Sequence, residues 1–107
     1  MFGFGKKIDP KAVTAEVLDH KALLVDVREN DEWDRGHARE AIHLSLNRIL
    51  NGELPTKDPA KKIYMYCALG GRSSMAASFL QKQGLNVENL GGLGDWKRAG
   101  GAVEVEY

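Results

Sequence analysis

With one cysteine, three prolines and no surplus charge of either sign, the 107-residue chain excludes several classes of protein from the outset. Cys67 alone can form no intramolecular disulfide and no multi-cysteine zinc site. Fifteen Lys and Arg offset fifteen Asp and Glu, so no overall field draws in nucleic acid or an anionic membrane, although local charge can still hold a small anion. No apolar run approaches the roughly 18 residues that a membrane-spanning helix needs. The first seven residues lack the basic, apolar and small-residue regions of a secretory signal, which makes a cytoplasmic location the default expectation. No repeat or low-complexity tract divides the chain.

What is there reads as one domain over residues 1–107, with 1–7 and 101–107 peripheral or flexible; Phe2 and Phe4 mark either a flexible terminus or a docking element. Asp9-Pro10 is a helix start, with Val13, Val17 and Leu18 as its apolar face over about 10–19. Residues 22–27 are almost continuously apolar, the mark of a strand covered on both faces, and Asp26 within them requires a partner. Asn30 caps a short helix that Gly36 ends, and Ile42-His43-Leu44 forms a short strand. A brief helix over 45–50 and a loop over 51–59 lead to a strand over 62–66. From Ser73 a helix presents Met75, Ala76, Phe79 and Leu80 to a sheet, and Gly84 suits its C-terminal end. A strand over 86–90 precedes a glycine-rich stretch, and the tail at 103–106 reads equally as an edge strand or a frayed end. Strands alternating with helices predict an α/β fold: an open, mainly parallel sheet with helices on both faces.

In such sheets the ligand crevice lies beyond the carboxyl ends of the strands, where Cys67 falls. The following Ala68, Leu69, Gly70, Gly71, Arg72 and Ser73 can curl so that backbone amides and a helix N-terminus point at one space, a cradle for a negative atom. A free cysteine titrates near roughly 8.5, and such surroundings lower that by about one to several units, leaving a nucleophilic thiolate at neutral pH. An isolated cysteine at a strand end is more often a small buried apolar residue. Here the glycines, the arginine and the strand-to-helix setting favour the nucleophile.

Cys67-x-x-Gly70-x-Arg72-Ser73 resembles the active-site loop of the rhodanese family of single-domain sulfurtransferases. Asp26-Val27-Arg28-Glu29 followed by Glu32-Trp33 and Gly36-His37 is similar to a second family signature, and Leu90-Gly91-Gly92 followed by Trp96 resembles its closing segment. The resemblance spans about Ile8 to Trp96 and implies a rhodanese-like fold with a persulfide carried on Cys67. It implies that Cys67 takes sulfur from a small anionic donor, thiosulfate or a persulfide, and passes it to a thiophilic acceptor such as cyanide, a thiol or a sulfur-relay protein. Such a double displacement calls for no metal, nucleotide or other cofactor.

Many members of that family carry an arginine directly after the cysteine, where this chain has Ala68, and weaker thiosulfate binding in favour of a persulfide donor is the expectation. Arg72 either binds the departing sulfite or braces the loop through a carboxylate. Asp26 and Arg28 are expected to support the site by fixing nearby loops, without proton transfer. His20, His37 and His43 read as structural, Trp33 and Trp96 as packing residues, and Lys57, Lys61 and Lys62 as a solvated face. The rival readings are a non-catalytic rhodanese-like module that binds a partner or senses redox state, and a cysteine-dependent phosphatase or arsenate reductase. The four residues between Cys67 and Arg72 argue against the second, since the related phosphatases have five.

Overall fold

A computed structural model describes residues 7–105. The expectations for residues 1–6, including Phe2 and Phe4, and for 106–107 fall outside the described residues. Asp9 Oδ1 accepts the Ala12 amide at 3.2 Å and opens α1 (Pro10–Leu18), which leads into β1 (Ala22–Asp26). Then come α2 (Asn30–Arg35), β2 (His37–Ala38), β3 (Ile42–His43) and α3 (Leu46–Leu50). The second half holds β4 (Lys62–Cys67), α4 (Gly71–Gln81), β5 (Asn86–Gly92), α5 (Leu93–Arg98) and β6 (Val103–Glu104).

Strands β3, β1, β4 and β5 lie in that order in a parallel sheet, the α/β architecture expected from the sequence. Its two faces follow the period of two that a pleated strand imposes. Val25, Ile63, Met65 and Cys67 pack with Ile49 of α3 and Ala76, Ala77 and Leu80 of α4. Ala22, Leu24, Tyr64 and Tyr66 pack on the other face with Val13 of α1 and Trp96 of α5. The apolar run at 22–27 is therefore explained by helices above and below the strand. Among the described residues, no helix is long and apolar enough to cross a membrane.

Several local expectations change. Leu18 and Met75 are exposed, not part of their helices' buried faces; Ala77 takes the core position on α4, and Met75 lines a surface groove with Leu50 and Phe79. Glu29, rather than Asn30, is the N-cap of α2, with Glu32 Oε1 accepting the Glu29 amide at 3.0 Å. Helix α4 starts at Gly71, two residues before Ser73. Strand β5 continues through Gly91 to Gly92, and α5 starts at Leu93 within what the sequence showed only as a glycine-rich stretch; Asp95 Oδ2 reaches back to accept the Gly92 amide at 2.8 Å. The tail resolves as an edge strand, β6, antiparallel to the unforeseen β2.

Between β4 and β5 the register slips: Met65 pairs with Asn89 and Tyr66 with Gly91, leaving Leu90 as a bulge. The irregularity lies immediately below the carboxyl end of β4, where the candidate site begins.

Candidate functional site

Strand β4 carries Cys67 to the end of the sheet with only 1% of its surface exposed, and α4 begins four residues later. Its sulfur is surrounded by donors. Gly70 N lies 3.0 Å from Sγ, Ser73 N 3.4 Å and Ser73 Oγ 3.3 Å. Burial of the sulfur opposes ionisation, but the hydrogen bonds from the Ser73 side chain and from the Ser73, Gly70 and Leu69 amides outweigh it and hold the thiol below its ordinary value. Of the Ala68–Ser73 stretch, the amides of Leu69, Gly70 and Ser73 face the sulfur.

Glycine is required where this loop meets β5. Gly70 has φ +104°, a left-handed conformation that side chains disfavour, and a Cβ on it would stand 3.3 Å from Gly91 Cα. A Cβ on Gly92 would overlap the carbonyl oxygen of Ala68. The resemblance of Leu90-Gly91-Gly92 to a closing signature therefore has a steric basis: the backbone of β5 seats the Cys67 loop directly.

Asn89 was not singled out from the sequence. Its Oδ1 accepts from Ser73 Oγ at 2.7 Å and from Gly91 N at 2.9 Å, while Nδ2 donates to Gly70 O at 3.1 Å. The only sequence signal for it is an Asn two residues before Gly91, a pattern that marks a local side-chain turn and not a site.

Arg72 projects from the first turn of α4 to Glu32 of α2, with Nη1 2.7 Å from Oε1 and Nη2 2.9 Å from Oε2. Of the two alternatives open for this arginine, the geometry shows the carboxylate-bound one. The Arg72 hydrogen bonds, against some burial, hold the Glu32 carboxyl down to about 2. Glu32 was recognised in the sequence as an acidic residue of a short helix, but its partner lies 40 residues away. Elsewhere in the loop, Ala68 carries no charge and Leu69 is 91% exposed.

Asp26 and Arg28 sit on the α1/α5 side of the sheet. Arg28 Nε and Nη2 donate to the Asp26 carboxylate at 2.7 to 3.0 Å, and Nη2 also donates to Gly36 O at 2.6 Å. Tyr66 OH donates to Asp26 Oδ2 at 2.6 Å and accepts the Ala38 amide at 2.9 Å. Burial raises the Tyr66 phenol, and the Asp26 charge raises it further, so it stays protonated. The partner required by Asp26 is therefore found, and the network ties the end of β1 to the α2–β2 connection, not to residues 68–73. His43 Nε2 donates to Arg28 O at 2.7 Å and His37 Nδ1 to Trp33 O at 3.0 Å. Trp33 stacks on His37 with centroids 3.5 Å apart, while Trp96 is buried and donates to Ala102 O at 2.9 Å.

Comparison with known proteins gives the same outline. The family model for the rhodanese-like domain matches residues 9–99. The thiosulfate sulfurtransferase GlpE of Haemophilus influenzae (strain PittEE) is 33% identical over 104 residues, covering 95% of this chain and 97% of that protein. A probable molybdopterin-synthase adenylyltransferase of Pyropia yezoensis is 33% identical over 84 residues; these are 77% of this chain but only 22% of that protein's length. Among solved structures, a rhodanese-related protein from Thermoplasma volcanium superposes with a TM-score of 0.75 at 27% identity, covering 94% of this chain and 99% of its own.

Proposed function

The chain belongs to the rhodanese-like domain family, and from that premise we propose that it is a sulfurtransferase carrying sulfane sulfur as a persulfide on Cys67. The observation that supports this most is the buried Sγ facing the Gly70 and Ser73 amides and the Ser73 hydroxyl. A thiolate is the charge those donors favour.

In the first half-reaction the Cys67 thiolate attacks the outer sulfur of thiosulfate. The S–S bond of the donor breaks, its electron pair leaves with sulfite, and the enzyme holds Cys–S–S⁻. The terminal sulfur now carries the charge, and the donors of Leu69, Gly70 and Ser73 stabilise it, already directed at the site. In the second half-reaction an acceptor, cyanide or a thiolate, bonds to that terminal sulfur and Cys67 leaves as thiolate. A persulfide donor enters by the same displacement with a thiolate in place of sulfite. Charge at the mouth favours the second donor: Arg72 is engaged by Glu32, and Ala68 supplies no cation for a dianion. Asp26 and Arg28 serve as supports, fixing the segment from which Glu32 reaches the loop.

The partners are a small sulfur donor and a thiol or sulfur-relay protein. A relay role agrees with a relative named as a molybdopterin-synthase adenylyltransferase, of which this chain matches one part. The cytoplasm, where thiols are kept reduced, suits a lone activated cysteine.

Intact-protein mass spectrometry after exposure to thiosulfate and, separately, to glutathione persulfide tests the proposal. Wild type should gain one sulfur atom, more readily from the persulfide; cyanide should remove it, and Cys67→Ala should gain none. No gain from either donor overturns the proposal and favours a binding module.

A further inference from the structure

The hydroxyl of Ser73 has one proton and several acceptors around it. Asn89 Oδ1 is 2.7 Å away, Gly70 O 3.2 Å, Cys67 Sγ 3.3 Å and Gly91 O 3.5 Å. Ser73 is fully buried, so water does not compete for that proton. The orientation of the Asn89 amide is set independently, since Gly91 N–H needs an oxygen and Gly70 O needs an N–H. The shortest partner of Ser73 is thus a fixed acceptor on β5.

We propose that Asn89 is a positioning residue for the chemistry at Cys67, competing with the sulfur for the single proton of Ser73 Oγ. The idea rests on Cys67 being the sulfur carrier. While Cys67 is a thiol, its S–H donates to the Ser73 oxygen, whose own proton rests on Asn89. When a bare thiolate is present, an oxygen lone pair facing it is repulsive, and the hydroxyl turns to donate to Sγ. Asn89 Oδ1 keeps the Gly91 amide and is not left without a partner. The hydrogen bond is therefore given to Cys67 when it departs as thiolate from the terminal sulfur, strengthening in the transition state over the persulfide ground state.

The pH dependence of Cys67 alkylation by iodoacetamide measures this, in wild type, Asn89→Ala, Ser73→Ala and the double variant, with Asn89→Leu as a near-isosteric check on packing. Removing the competing acceptor should lower the apparent thiol pKa, giving about threefold or more thiolate at a pH below it. The same replacement should have no effect in the Ser73→Ala background. A pKa that rises on loss of Asn89, or shifts equally with and without the Ser73 hydroxyl, overturns the proposal, because a residue that merely holds the loop together acts that way. The readout needs no sulfur transfer, so a failure of persulfide loading on Cys67 would be seen separately.

Discussion

Arg72 and Glu32 form a two-pronged ion pair that joins the start of α4 to α2, with both terminal nitrogens of the guanidinium occupied at 2.7 and 2.9 Å. A cation so placed would attract a dianion if it were free; bound to Glu32, its charge is largely neutralised.

Glu32→Gln should therefore improve thiosulfate as a donor. The expected result is a several-fold lower KM for thiosulfate, with little change for glutathione persulfide, measured by sulfite release and by thiol release respectively. An unchanged or higher thiosulfate KM would mean that the pair acts only as a brace.

The same pair sets an acid limit. Glu32 titrates at about 2 in the folded chain against an ordinary 4.5. A depressed folded value stabilises the fold above the unfolded value and loses that contribution as pH falls toward the folded one. The stability difference between wild type and Glu32→Gln should be constant above about 4.5 and shrink steadily as pH approaches 2, followed by thermal unfolding across that range.

Gly92→Ala places a methyl group against the Ala68 carbonyl oxygen, a backbone atom that cannot swing away. The loop must shift off its seat. We expect a loss of about 1–3 kcal/mol in urea unfolding and a Cys67 alkylation profile moved toward that of an ordinary cysteine. Full retention of the low thiol pKa would show that the loop does not depend on its contact with β5.

Tyr66→Phe removes the hydroxyl that bridges Asp26 and the Ala38 amide, both buried. The cost should be about 1–3 kcal/mol of stability, with the alkylation rate of Cys67 nearly unchanged, because the bridge lies on the opposite face of the sheet. A large change in Cys67 reactivity would reveal coupling through β4.

Much of this arrangement was legible in the chain. The doubly covered strand at 22–27 announced itself by continuous apolar residues, and Cys67 by its place between a strand and two glycines. Helix α5 and strand β2 were not, since glycines hide the first and two residues are too few to show a period for the second. At the site, short-range patterns located the loop but not its distant partners. Glu32 and Asn89 reach it from other elements, 40 and 16 residues from their partners, and only tertiary structure specifies such pairings. Met75 shows the same limit from another side: helical spacing put it in the core, but the stripe that faces the sheet is the adjacent one, with Ser73, Ala76, Ala77 and Leu80 buried and Met75 exposed.

The bulge at Leu90 divides the pairing of β4 with β5 into two ladders in series, one ending at Met65 and Asn89, the other starting at Tyr66 and Gly91. One spare residue between them is mechanical slack. The platform beneath Cys67 is thereby offset by one residue from the ladder below it, and the extra local twist that a bulge brings falls at the carboxyl end of β4 instead of in the middle of the sheet.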